Sequence, residues 1–182
     1  MARAVTIREE VEIPEGVSVE VEGRRVRVRG PRGTVERDFS CARGVRIYLE
    51  SGRVVVESFF VDRKLKAQAY SIVSHIKNAI EGVLKGYRYK LRIVHTHFPI
   101  SVKVSGDKVI IENFIGEKAP RVAKIVGNVK VTVTKTDVIV EGCDLEAVAQ
   151  TAANIEQATK IRDFDRRVFV DGIYIYERGY AE

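Results

Sequence analysis

Hydrophobic positions alternate strictly over several short stretches near the start of the chain. Residues 5–13, VTIREEVEI, read as a strand that stops at the turn signal Pro14-Glu15-Gly16. Two more alternating runs follow, VSVEVEG and RRVRVRG, broken at Gly23 and Gly30. In the second, Val26 and Val28 point to one side while Arg25, Arg27 and Arg29 point to the other. That predicts an antiparallel hairpin with one wet, strongly basic face. Gly30-Pro31-Arg32-Gly33 predicts a turn with a cation at its tip, and strands are expected again at VRIYLES and GRVVVESFFV. The period then changes. Leu65, Ala69, Ile72, Ile76, Ala79 and Val83 recur at spacings of four and three, the stripe of a helix packed on a sheet. Asp62 is its expected cap and Gly82 and Gly86 its stop signals, giving a helix over 63–81.

After Gly86 the same order of elements begins again. YKLRIVHTHF runs up to Pro99 as the first strand ran up to Pro14, and VKVSGDKVIIEN repeats VEVEGRRVRVRG. A turn at Phe114-Ile115-Gly116 answers Pro31-Arg32-Gly33, and VKVTVTKTDVIVEG repeats VRIYLESGRVVVES. Asp144 caps a second helix, expected over 145–160, with Leu145, Val148, Ala152, Ile155 and Thr159 on its inner face. The period of about 80 to 85 residues is too long for a solenoid repeat and suits a duplicated small domain. The fold class is therefore α+β: two tandem, internally duplicated domains, 1–86 and 87–182, each a mostly antiparallel sheet packed against one main helix.

Composition narrows the partners. The chain has 182 residues, 45% hydrophobic and 31% charged, a balance that supports a buried core. No apolar run can span a bilayer and MARAVTIREE lacks an apolar signal region, so a soluble, unsecreted protein is expected. Cys41 and Cys143 are then expected as reduced, buried thiols. Net charge is +6, from 31 basic and 25 acidic residues, and its distribution says more than its sum. Residues 24–32 carry five arginines and no acid, and residues 85–97 carry Lys85, Arg88, Lys90 and Arg92 with none. The segment from Asn113 to Lys124 holds Lys118, Arg121 and Lys124 against Glu117 alone. These are candidate phosphate-binding loops, although a solvated sheet face explains the hairpin arginines equally simply.

Catalytic and metal constellations find little support. His95 and His97 stand two apart on an expected strand, a spacing that can ligate a metal, but no cluster elsewhere completes the site. Partial burial or an RNA contact suits these imidazoles better, and His75 is expected on the exposed flank of the first helix. There is no G-x-S-x-G elbow, and Asp163 and Asp165 sit among Arg162, Arg166 and Arg167, which keep them ionised and unfit as general acids. No enzyme, metal or cofactor is expected.

The second half ends on a stretch that the first half lacks, QATKIRDFDRRVFVDGIYIYER at 157–178. It packs Lys160, Arg162, Arg166 and Arg167 into a turn and continues as an alternating aromatic and β-branched run. Cations neutralise phosphates, rings stack on bases, and a glycine lets backbone approach closely, the needs of a surface that holds folded RNA. If the run from Arg166 is a strand, Arg167, Phe169 and Asp171 share one face.

This stretch resembles the signature of the large-subunit ribosomal protein six family in its archaeal and eukaryotic form. The pattern is carried by Gln157, Ile161, Arg167, Phe169, Asp171, Gly172, Ile173, Tyr174, Ile175 and Arg178. Phe164 departs from it, standing where a basic residue is expected. GYRYKLRIVHTHFPI and NFIGEK are similar to the matching segments of the family, so the resemblance covers nearly the whole chain. It implies a structural rRNA-binding protein near the factor-binding region and stalk base, beside neighbouring ribosomal proteins and in proximity to translational GTPases. The rRNA-binding set expected is Lys85, Arg88, Lys90, His95, His97, Lys118, Arg121, Lys124, Lys160, Arg162, Arg166, Arg167, Phe169, Asp171, Gly172, Tyr174 and Arg178. The residues alone also allow a free two-domain RNA-binding or RNA-chaperone protein outside the ribosome.

Overall fold

The computed structural model describes residues 6–59, 62–162, 164–165 and 167–181. The chain divides into two compact units, Met1–Lys85 and Gly86–Glu182. The first contains β1 (Thr6–Glu12), β2 (Ser18–Glu22), β3 (Arg25–Gly30), β4 (Gly33–Asp38), β5 (Val45–Glu50), β6 (Arg53–Phe59) and helix α1 (Arg63–Lys85). Its strands form two antiparallel three-stranded sheets, β1-β6-β5 and β2-β3-β4, and α1 packs on strands of both. Val26, Val28, Val54, Val55, Val56, Ile76 and Val83 form its fully buried centre; Val26 and Val28 alternate with outward arginines, whereas Val54, Val55 and Val56 are buried in succession.

The second unit repeats this plan with β7 (Tyr87–Val94), β8 (Ser101–Ser105), β9 (Lys108–Glu112), a 3-10 turn at Phe114–Gly116, β10 (Arg121–Lys124), β11 (Lys130–Val133), β12 (Asp137–Gly142) and helix α2 (Leu145–Ala158). It adds β13 (Gly172–Tyr180), which pairs antiparallel with β7 to give a four-stranded sheet, β11-β12-β7-β13, beside the three-stranded β10-β9-β8. Leu91, Ile111, Phe114, Val138, Val140, Val148, Ile155 and Ile173 are buried together between sheets and helix.

Five expectations needed correction. The segments GTVERD and RVAK are strands, each the third strand of its small sheet, and their alternation is too short to stand out from the loops around them. Helix α1 runs through Gly82, which is buried, and ends at Gly86, whose φ of +71° breaks the helical path. β7 stops at Val94, so His95 and His97 lie in a loop rather than on a strand. Cys41 is exposed and Cys143 half-buried, both as free thiols, so the expectation of buried ones fails. His75, in turn, is half-buried and tilted against the Phe39 ring at 6.2 Å. Asp62 does cap α1, its Oδ1 accepting the Leu65 N–H at 2.7 Å, and Asp144 caps α2 by accepting from Glu146. Among the described residues no helix is long and apolar enough to cross a membrane.

Candidate nucleic-acid interface

The segment between α2 and β13 is anchored at three points. At the first, Thr159 closes the helix: its buried hydroxyl donates to the Glu156 carbonyl and accepts the Ile173 N–H at 3.0 Å. The Glu156 carboxylate accepts the Ile175 N–H, so the last turn of α2 holds the start of β13 directly. At the second, Arg121 reaches across from β10. Its Nη1 donates to the carbonyls of Ala158 (2.9 Å) and Lys160 (3.2 Å), acceptors that a helix end leaves without partners. The rest of its guanidinium grips Glu117 in a bidentate pair at 2.6 and 2.9 Å and lies 4.3 Å over the Phe114 ring. Hydrogen bonding from Arg121 holds the Glu117 carboxyl below its usual range.

The third anchor is Asp171, a fully buried carboxylate. Its Oδ1 accepts the Thr96 N–H (3.0 Å) and the Thr96 hydroxyl (2.7 Å) and lies 3.2 Å from His97 Nδ1; its Oδ2 accepts the His97 N–H. Burial by itself pushes this carboxyl up. The Thr96 hydroxyl and N–H, with the His97 N–H and ring, outweigh it and hold Asp171 far below the ordinary carboxylate range. These bonds explain why β7 ends where it does. They also stand the His97 ring on Phe169, stacked at 4.4 Å, while Phe164 tilts on the other partner of that pair at 4.8 Å. Phe164, the departure from the expected basic residue, thus adds a half-exposed ring to an aromatic cluster. Gly172 completes the support: a Cβ there would lie 2.8 Å from the Tyr174 ring, which folds back so that its hydroxyl donates to the Val170 carbonyl. An open groove results, with Phe169, Tyr174 and Ile161 as apolar walls and Lys160 at the rim.

The expected site residues fall into three groups. Lys160, Arg162 and Arg167 are exposed on this junction, Tyr174 is exposed beside them, and His97 and half-buried Phe169 form its aromatic floor. Lys118 and Lys124 are exposed on either side of Arg121, and His95 is exposed in the loop after β7. Arg166, like Asp163, lies outside the described residues.

The second group is committed internally. Arg88 pairs with Glu141 at 2.5 Å, Lys90 with Glu177 at 2.9 Å, and Arg178 lies 5.9 Å over Tyr89. Arg121 is a positioning residue for the helix end, not a presented cation. The third group is buried: Asp171 and Gly172 do not face outward, and 167–171 is not a strand, so the shared face expected for Arg167, Phe169 and Asp171 does not exist. Lys85 ends α1 in the other unit.

The hairpin arginines are likewise not a bare basic face. In register, Arg27 stands between Glu20 and Glu36, Arg25 opposite Asp38, and Arg29 reaches Glu20. The acids sit on neighbouring strands, invisible to a count taken along one. Thr96, Thr159 and Phe164 are the site residues that sequence reasoning missed; Thr96 meets Asp171 across a long sequence gap that no local pattern marks. Among the described residues no group of three or more His, Cys, Asp or Glu side chains is placed to hold a metal ion.

The family model for ribosomal protein L6 matches the chain twice, over residues 13–86 and 98–172. The chain belongs to the ribosomal protein L6 family. One match falls on each structural unit, so the chain carries the family's domain twice. The chain is 63% identical to a large ribosomal subunit protein uL6 of Ignicoccus hospitalis over 98% of both chains. It is 61% identical to the uL6 of Aeropyrum pernix, again over 98% of each, and 58% identical to that of Desulfurococcus amylolyticus over the full length of both.

Proposed function

We propose that this chain is a structural, non-catalytic constituent of the large ribosomal subunit in the cytoplasm, and that it binds the subunit's rRNA through the α2–β13 junction. The observation that carries the reading is the junction itself. Two buried anchors, Thr159 and Asp171, and the partly exposed Arg121 hold a base from which Lys160, Arg162, Arg167 and Tyr174 face solvent. Cations on a preorganised base gain phosphate contacts without the cost of ordering a loop, and exposed rings add stacking. Affinity then comes chiefly from phosphate neutralisation, and selectivity from RNA shape.

The two domains, 1–86 and 87–182, act as two platforms that fix separate rRNA segments relative to one another. Similarity of the 157–178 stretch to the family signature supports a position near the factor-binding region and stalk base, beside other large-subunit proteins and close to docking translational GTPases. The test is fractionation of tagged chain from cells. It is expected to sediment with large subunits at about one copy each and to survive moderate salt washing, and hydroxyl-radical cleavage from position 167 is expected to cut rRNA near the GTPase-docking hairpin. Recovery mainly in light, subunit-free fractions would favour the free RNA-binding protein instead.

A further inference from the structure

The duplication supplies an internal template for a binding edge. In the second unit the outer edge of β7 is covered by β13; in the first, the sheet order β1-β6-β5 leaves β1 with no strand on its outer side among the described residues. Register identifies the equivalent positions. Val54 of β6 and Val138 of β12 occupy the same place in their buried Val-x-Val runs, and they pair with Val11 and Leu91 respectively. Val11 therefore corresponds to Leu91, Glu10 to Lys90, Glu12 to Arg92, Glu9 to Tyr89 and Arg53 to Asp137.

The charges at these positions are inverted between the units. In the second, Lys90 pairs with Glu177 of β13, Arg92 stacks at 5.2 Å on Tyr176 of β13 while pairing with Asp137, and Arg178 of β13 lies over Tyr89. In the first, Glu10 pairs with Arg8 at 3.2 Å and with Arg53 at 2.9 Å, Glu12 pairs with Arg53 at 3.1 Å, and the Glu12 side chain remains 79% exposed. Residues 9–15, EEVEIPE, carry four acids and no base in a chain whose net charge is +6. Beside this edge a groove of about 530 Å³ runs between β1 and the end of α1, lined by the apolar Val11, Ile13, Ile80 and Leu84 and by Lys77, Glu81 and Lys85 on the helix side. In the second unit the apolar residues of β13, Ile173 and Ile175, pack into the core next to α2.

We propose that the β1 edge is a docking site for an extended, basic protein segment that adds to the β1-β6-β5 sheet as an antiparallel strand, as β13 adds to β7. The segment places aliphatic side chains at alternate positions into the groove and Lys or Arg opposite Glu10 and Glu12, on the other face of the strand. Main-chain hydrogen bonds to the open edge supply affinity, and the inverted charges supply selectivity. RNA is disfavoured on this acidic edge, and a second copy of β1 would set like charges opposite one another. The proposal is independent of the rRNA surface on the other unit.

The test uses the full chain and two nine-residue peptides, one with the sequence of residues 172–180 and one carrying Tyr176→Lys and Glu177→Lys. The lysine peptide is expected to slow hydrogen exchange at alternate β1 amides and to bind about tenfold more tightly than the unaltered peptide, from two new exposed ion pairs and the removal of the Glu177 charge from the acidic edge. A lysine peptide with Ile175→Pro is expected to lose the protection. Transplanting the second unit's charges by Glu10→Lys, Glu12→Arg and Arg53→Asp keeps opposite charges between β1 and position 53, leaves Arg8 paired with Glu50, and is expected to reverse the preference. Equal binding of both peptides, no protection at β1, or protection that survives the proline overturns the proposal. So does concentration-dependent dimerisation that protects β1, or its protection by rRNA. If the triple variant fails to fold, the comparison of the three peptides on the unaltered chain still decides.

Discussion

Replacing Asp171 by asparagine removes one negative charge and almost no volume. In the native protein its two oxygens accept from the Thr96 N–H and hydroxyl, the His97 N–H and the His97 ring. An asparagine oxygen in the Oδ1 position keeps the first two, but its NH2 then faces the His97 N–H, donor against donor. One buried hydrogen bond is lost and the others lose their charge assistance, a cost of about 2–3 kcal/mol. For a unit of about 100 residues that is a fall of roughly 10–20 °C in melting temperature. Calorimetry of the full chain should show the shift in the transition of the second unit. The pH dependence is a second readout. Because the folded carboxyl is held below its ordinary value near 4, the unfolded chain takes up a proton that the folded one refuses. The contribution is complete above about pH 4 and is lost as pH falls below it. The asparagine variant lacks this acid-side slope. A variant that melts like the native chain, or one that loses rRNA binding at unchanged stability, would refute the assignment of Asp171 as an anchor.

Arg167→Ala should weaken incorporation into large subunits by about 1–3 kcal/mol with little change in melting, whereas Ile155→Ala, at a fully buried position, should cost about 2–5 kcal/mol of stability; competitive incorporation and melting curves separate the two. Binding to rRNA fragments should weaken with salt by about 0.7–0.9 log units per log unit for each phosphate neutralised, and Lys160→Ala or Arg162→Ala should each lower that slope. Arg25→Ala should leave it unchanged, since Arg25 already faces Asp38. Gly30→Ala should destabilise the first unit by about 1–3 kcal/mol, because the added Cβ would lie 2.9 Å from the Val83 carbonyl oxygen; denaturant titration reports it.

The helices and the duplication are legible in the sequence because their signal is local and periodic: the stripe from Leu65 to Val83 and its counterpart from Leu145 to Ile155 need no tertiary partner to be read. Strands β4 and β10 are not, since four to six residues of mixed polarity alternate too briefly. The candidate site divides the same way. Lys160, Arg162 and Arg167 are exposed cations as their composition suggests, but the fate of Arg88, Lys90 and Arg27 turns on Glu141, Glu177 and Glu36, brought opposite them by register. Asp171 reads as one more charged residue in a polar turn until its partners at Thr96 and His97 are in place.

Strand β13 also imposes a schedule on synthesis. Among the described residues all strand pairings of the first unit are closed within Met1–Lys85, so they can form once residue 85 has left the ribosome making it. The second unit opens with Tyr87 and finds its final partner for that residue in Tyr180. Until then β7 carries an unzipped edge of alternating aromatic and aliphatic residues, a surface that invites mispairing with other nascent chains. The two halves of one duplicated architecture thus mature in order, the first during elongation and the second after nearly all of it has been translated.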